Sequence, residues 1–459
     1  MQDQFTAMRA ASRAGPAVPH KLRDERLQAL HGLVMDNRQV FGQAISQDFG
    51  QRPQAETDLA EVTPILEELR EARRHMRRWM ARRRVPVGRW FHPARAWVQP
   101  QPLGLIGIVA PWNYPLQLAV APLICAFAAG NRAMVKLSEH TPAFSAAFAH
   151  AVRRDFDPDV LSVVTGDAGV ASEFCALPFD HLLFTGSTSV GRKVMAAAAP
   201  NLTPVTLELG GKSPVLIAPD ARFDHAVARI MAGKMLNAGQ TCTAPDYVLL
   251  PRGREQDFIA AARRWVARHY PKLAANPDYT RIINAAQFAR LTDALDQAKQ
   301  GGALLHPLTD AEPDPGRRLM PPIVTTLTTG PLSEDEIFGP ILPLVPYDTL
   351  REAVADIIAR PRPLAFYPFT ESAETRDLLL SQVVAGGVSV NDTLFHVVQT
   401  GLPFGGVGAS GMGVYHGRAG FDRMSHLMPV FAQSRLNGAG LIAPPYGARF
   451  RNVLRWMMR

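Results

Sequence analysis

The chain has 459 residues, 47% of them hydrophobic and 20% charged, with three cysteines and a formal net charge of +8. That length suits about three domains of average size, and the apolar content supplies a core without a disulfide framework. Cys125, Cys175 and Cys242 form no C-x-x-C pair or zinc spacing, no run of 18 apolar residues marks a transmembrane helix, and MQDQFTAMRAASRAG lacks the apolar centre of a secretory signal. Free thiols in a cytoplasmic enzyme without a metal site are therefore expected.

The first 80 residues read as helices. Leu22, Leu27, Leu30, Leu33 and Val34 recur at helical spacing, as do Leu59, Val62, Ile65, Leu66 and Leu69. Arg70, Arg73, Arg74, Arg77, Arg78, Arg82, Arg83 and Arg84 then fall in one helical stretch. Such a stretch suits nucleic acid or an anionic membrane surface. Leu69, Met76, Trp79 and Met80 mark an apolar face on it, which favours a solvated helix whose Arg stems pack over the body below.

Residues 85–102 differ sharply, with prolines, aromatics and short β-prone pieces that predict a projecting hairpin. Residues 103–110 read as a buried parallel strand. Short apolar runs at 133–137, 160–164 and 181–185 follow, the last running into Gly186-Ser187 and a helix. A second series covers 213–217 and 247–250, with a late strand near 386–391. Strand, tight turn and helix in repetition predict a doubly wound α/β fold. The basic and apolar tail from Arg449 to Arg459 is too short to span a membrane and predicts a docked or frayed end.

Cys242 carries the strongest chemical signal. It lies in Gly239-Gln240-Thr241-Cys242, a polar turn, whereas Cys125 and Cys175 sit in apolar runs that suit inert buried thiols. Glu208, in Glu208-Leu209-Gly210-Gly211-Lys212, is a carboxylate between an apolar strand and a Gly-Gly turn, where incomplete solvation raises a pKa. A thiolate adds to a carbonyl, and a poised carboxylate activates water against the resulting thioester. Asn113, in Pro111-Trp112-Asn113-Tyr114-Pro115, either donates to a developing oxyanion or caps the next helix.

Gly186 and Ser187 at a strand-to-helix turn suit a pyrophosphate, although the G-x-G-x-x-G fingerprint is absent. Lys136 and Glu139, three apart at a strand end, suit ribose hydroxyls or form a surface ion pair. Glu336 and Phe338 are two apart, so an extended backbone points both to one side, toward a ribose and a nicotinamide, or into a packed loop. The glycine-dense stretch 401–413 either closes tightly on the core or lets backbone approach a ligand.

Taken in order and spacing, Pro111-Trp112-Asn113, Glu208-Leu209-Gly210-Gly211-Lys212, Gly239-Gln240-Thr241-Cys242, Glu336-Ile337-Phe338-Gly339-Pro340 and Pro403-Phe404-Gly405-Gly406 resemble the NAD(P)-dependent aldehyde dehydrogenase superfamily over nearly the whole chain. The sequence from Asn237 to Tyr247 looks like the class 3 branch, and Asn391-Asp392-Thr393-Leu394-Phe395-His396 with Pro444-Pro445-Tyr446-Gly447 is similar to the bacterial coniferyl aldehyde dehydrogenase group.

The resemblance implies a Rossmann-like NAD(P)-binding domain over 1–205, interrupted by an oligomerisation hairpin at 85–102, and a catalytic α/β domain over 206–395. The segment 396–459 would carry the glycine-rich loop, an oligomerisation strand near 425–433 and the tail. It implies a homodimer that takes a small-molecule aldehyde, aromatic or medium-chain aliphatic, with NAD or NADP and with neither nucleic acid nor a membrane span. Cys242 would be the nucleophile, Glu208 the base and Asn113 an oxyanion donor. Lys136, Glu139 and Glu336 would hold riboses, Gly186 and Ser187 the pyrophosphate, and Phe338 the nicotinamide side. A CoA-acylating enzyme, or a polyanion-binding protein acting through Arg70–Arg84, are the alternatives.

Overall fold

The computed structural model describes residues 1–15, 17–326, 330–441 and 443–458. Its strands form three sheets. The six-stranded sheet runs, in spatial order, Gly411–Met412, Val205–Leu209, His181–Gly186, Leu105–Val109, Arg132–Lys136 and Leu161–Val164. The first pair is antiparallel and the rest are parallel. Leu105–Val109 is buried at all five positions, as a parallel strand covered on both faces must be. A side chain at Gly107 would run into Phe179 and Leu182, so this strand admits no Cβ there. Helix Gln117–Ala129, buried along its whole length, covers the sheet.

From Leu105–Val109 the chain moves outward to Arg132–Lys136 and Leu161–Val164, then returns to build His181–Gly186 and Val205–Leu209 on the other side. The strand order therefore reverses between Leu105–Val109 and His181–Gly186. In a doubly wound, Rossmann-like sheet the crevice outside the carboxyl ends at that reversal is where ligands bind. Pro111–Pro115 and Gly186–Ser187 leave the sheet there.

The seven-stranded sheet runs Leu305–Pro307, Ile323–Thr326, Ile341–Tyr347, Tyr247–Pro251, Pro214–Ile217, Ala365–Phe369 and Gly387–Val388, parallel except for the first pair. The third sheet is antiparallel and joins Arg83–Val85, Arg95–Pro102 and Ser425–Ala432. Helix Ala448–Met457 docks on the hairpin of this sheet, with the Trp456 and Trp90 ring centroids 4.1 Å apart.

Two readings of the sequence need correction, and the structure adds to a third. Leu59 does not share the buried face of its helix; it is exposed, because Asp58–Val62 forms a π-helical turn that shifts the register before helix Thr63–Trp79 begins. The arginine stretch is not one helix. It ends at Trp79, and Arg83–Val85 continues as a strand. On the helix Arg73 pairs with Asp24 and Arg70 with Glu67, while Ile65, Leu69, Ala72, Met76 and Trp79 are buried. Finally, the glycine-dense stretch contains a short strand, Gly411–Met412, placed directly beside Glu208.

Candidate active site

A cavity of about 890 Å³ opens at the strand-order reversal and is lined by residues of both large sheets and their loops. Asn113, Gly186, Ser187, Glu208, Cys242, Glu336 and Phe338 all line it. Asn113 comes from the loop after Leu105–Val109 and Glu208 from Val205–Leu209. Cys242 comes from the turn between helix Phe223–Met235 and strand Tyr247–Pro251, and Glu336 and Phe338 from the segment before Ile341–Tyr347.

The Cys242 turn has an unusual backbone. Asn237 and Ala238 take left-handed conformations, with φ of 51° and 50°, and Gly239 follows at 74°. Left-handed geometry costs a non-glycine residue about 1–2 kcal/mol. Side-chain hydrogen bonds hold it in place. Asn237 Nδ2 donates to Gln240 O (3.1 Å) and Asn113 O (3.0 Å). Gln240 Nε2 donates to Asn237 O (2.9 Å) and Arg281 O (3.0 Å), and Gln240 Oε1 accepts from the Ile283 N–H (2.9 Å). Gly239 must lack a side chain, because a Cβ would strike the Gly339 carbonyl. The Asn113 amide donates to Gln240 O at 3.3 Å, two residues from the thiol.

Electrostatics separates Cys242 from the other thiols. Burial, with the Glu68 charge behind it, pushes Cys125 up to about 12, and burial pushes Cys175 up to about 11 against the pull of Lys136. Cys242 is half-buried and lines the cavity, and its thiol is held well above the usual range by burial, then by the Glu208 and Glu336 charges. Burial pushes Glu208 up to about 8, with the facing Cys242 thiol pulling the other way. Neither Glu208 carboxyl oxygen has a hydrogen-bond partner among the oxygens and nitrogens of the described residues. A carboxyl so placed can take a proton from water.

The Glu208-Leu209-Gly210-Gly211-Lys212 motif does three structural jobs. A Cβ at Gly210 would collide with the Glu336 carboxylate, so this glycine lets Glu336 approach. Burial pushes Glu336 up to about 8, opposed by the Gly211 N–H. Lys212 pairs with Asp246 and donates to Leu332 O and Asp335 O, both at 2.9 Å, while Asp246 Oδ2 accepts the Ile337 N–H at 2.9 Å. The segment carrying Glu336 and Phe338 is thereby tied to the motif carrying Glu208. Phe338, at φ 51°, meets Trp112 edge-on with centroids 5.3 Å apart.

Lys136 and Glu139 do not line this cavity. Lys136 is buried at the end of its strand, donating to Leu137 O at 2.7 Å and lying 3.5 Å from Glu139. They stand one strand away from the reversal, beside Leu105–Val109.

The aldehyde dehydrogenase family model matches residues 2–430. The chain belongs to the aldehyde dehydrogenase family. Within it, the chain falls in the class 3-like branch. A probable coniferyl aldehyde dehydrogenase of Pseudomonas aeruginosa is 46% identical over 98% of this chain and 94% of its own length. The substrate-bound state of Staphylococcus aureus AldH superposes with a TM-score of 0.94 at 35% identity, covering 99% of both chains. A Mycobacterium tuberculosis aldehyde dehydrogenase complexed with NAD+ superposes with a TM-score of 0.83 at 26% identity, over 95% of this chain and 90% of that one. This aldehyde dehydrogenase accordingly oxidises aldehydes to acids with NAD(P)+.

Several cavity residues of the aldehyde dehydrogenase escape a reading of the sequence. Arg192, Gln287, Arg290 and Gln297 all line it. Arg290 donates to Ile337 O at 2.7 Å and to Gln287 Oε1 at 2.8 Å, clasping the Glu336 segment from helix Ala285–Gln300. These residues sit on ordinary amphipathic helices, and only the tertiary fold turns them toward the site.

Proposed function

We propose that Cys242 is the nucleophile, Asn113 the oxyanion donor and Glu208 the hydrolytic base. The observation that carries this reading is the meeting of a thiol, a carboxyl and an amide from three separate segments in one cavity. The Cys242 thiolate attacks the aldehyde carbon, and the carbonyl oxygen becomes an oxyanion beside the Asn113 amide. The bound dinucleotide supplies the hydride acceptor. The thioester left on Cys242 is attacked by water as Glu208 takes its proton, and the acid departs with Cys242 restored.

The site suits a dinucleotide. Ser187 caps helix Thr188–Ala198, and a helix N-terminus favours a pyrophosphate. Glu336 Oε1 is buried without a hydrogen-bond partner among the described residues, an acceptor that suits a ribose hydroxyl. Gly186, Ser187, Glu336 and Phe338 hold the cofactor in this reading. Lys136 and Glu139 hold the more distant ribose, one strand further out. Residues 1–205 form the cofactor domain and 206–395 the catalytic domain. The residues from 396 on close the site and extend the small sheet, through which two copies form a homodimer. The presence of Glu208 favours hydrolysis over transfer to CoA.

The preferred substrates are aromatic aldehydes of the phenylpropenal type, in line with the named activity of the Pseudomonas relative. Phe395 and Leu402 are each about half exposed, whereas Tyr114 and Phe404 are buried. The test is kcat/KM for coniferaldehyde, benzaldehyde, octanal and acetaldehyde with NAD and NADP. Coniferaldehyde should exceed acetaldehyde by at least about tenfold. Acetaldehyde as the best of the four overturns the substrate class. Cys242→Ala should abolish NADH formation while the variant still folds and binds cofactor; activity within a few-fold of wild type overturns the nucleophile.

A further inference from the structure

Asn113 and Cys242 belong to segments of different sheets, so neither sheet alone fixes the amide against the thiol. The two segments bond each other directly, and a third segment, which precedes both sheets, bonds both. The Arg52 side chain has no exposed surface. Its Nη1 lies 2.9 Å from Glu61 Oε1 and its Nε 3.4 Å from Glu56 Oε1, with Glu56 and Glu61 themselves 8% and 0% exposed.

Each member of this cluster reaches the catalytic loops. Arg52 Nη1 donates to Asn113 O at 3.1 Å, and its guanidinium stacks 4.9 Å from the centre of the Tyr114 ring. The Tyr114 hydroxyl is 2.6 Å from Thr241 Oγ1, next to Cys242. Glu56 Oε1 accepts the Asn237 N–H and the Thr280 hydroxyl, both at 3.0 Å, at the first left-handed residue of the Cys242 turn. Glu61 Oε2 accepts the N–H groups of Leu116 (2.8 Å) and Gln117 (3.0 Å), where the Asn113 loop enters its helix.

Stability alone does not account for such a cluster. Buried ion pairs are often replaceable by apolar residues at no cost, because desolvation offsets attraction. Burial indeed pushes both carboxyls up, against the pull of Arg52. What an apolar replacement would not reproduce is the set of directed bonds to two loops at once.

We propose that Arg52 is a positioning residue for the oxyanion site, holding with Glu56 and Glu61 the Asn113 loop and the Cys242 turn in one fixed register. The role rests on the reading of Cys242 and Asn113 given above. It acts on the acylation half-reaction, where the oxyanion forms, because misplacement by about 1 Å costs on the order of a hundredfold.

The experiment is a double-mutant cycle on the NADH burst with Arg52→Lys, Asn113→Ala and the combined variant, with Tm and NADH binding measured for each. Lys keeps the charge but loses the planar fork. R52K should slow the burst about 10- to 100-fold, with KM for NAD+ within about threefold of wild type. The combined variant should be no slower than N113A alone. Glu56→Gln, which keeps the shape and removes the charge facing Arg52, should slow the burst about fivefold or more and serves if R52K does not fold. A burst in R52K or E56Q within about twofold of wild type, or additive losses in the cycle, overturns the proposal. An N113A burst equal to wild type removes the oxyanion reading itself, and this role with it.

Discussion

Glu208 and Cys242 face each other as groups that burial keeps protonated near neutrality, and the Glu208 charge raises the cost of ionising Cys242. Glu208→Gln removes one side of that opposition. The variant should give a burst of NADH followed by very slow turnover, because Gln cannot take a proton from water. Deleting the carboxylate charge should also lower the Cys242 pKa, so alkylation of Cys242 by iodoacetamide should begin at lower pH than in wild type. A shift to higher pH, or an unchanged steady-state rate, removes Glu208 from its role. In wild type, thioester hydrolysis should rise with pH through about 8, where Glu208 ionises, and level off above it. Cys242 was legible in the sequence because its turn is polar, unlike the settings of Cys125 and Cys175. Arg52 was not legible. Nothing local distinguishes a buried guanidinium from the many arginines that face water.

At the scale of elements, the turn after strand Val205–Leu209 is where the two halves of the site meet. Gly210→Ala would put a methyl group against the Glu336 carboxylate and push that segment outward. KM for NAD+ should rise about tenfold or more, the scale of losing a charged hydrogen bond, while hydrolysis of an activated ester at Cys242 stays within a few-fold. Equal losses in both assays would show that the turn itself had collapsed and that Glu336 has no separate part. The buried parallel strands were readable from their apolar, β-branched runs. Gly411–Met412 was not, because two residues of glycine-rich backbone carry no periodicity. The π-helical turn at Asp58–Val62 hid for a related reason: one inserted residue changes the face without changing the composition.

At the scale of the whole molecule, the order of elements in space departs from their order along the chain. The sequence motifs made the α/β architecture and both sheet series predictable, since strand, turn and helix alternate over most of the length. The joining of Ser425–Ala432 to the hairpin sheet was visible only through the resemblance, and the closure of the six-stranded sheet by Gly411–Met412 not at all. A chain ending at residue 400 lacks both strands, although Val205–Leu209, fully buried in the finished molecule, is still present. It should therefore elute as large aggregates in gel filtration. A monodisperse fragment that binds NADH would refute this.

The same wiring sets a timetable for synthesis. About 200 residues separate Leu209 from Gly411, so at 5–20 residues per second a nascent chain waits roughly 10–40 s before the partner strand exists. During that interval the strand bearing Glu208 has an unpaired apolar edge, open to chaperones or to neighbouring nascent chains. The carboxyl proposed as the proton acceptor is thus among the last groups to be locked in place, and an incomplete polypeptide emerging from the ribosome carries Cys242 and Glu208 without the strand that fixes Glu208.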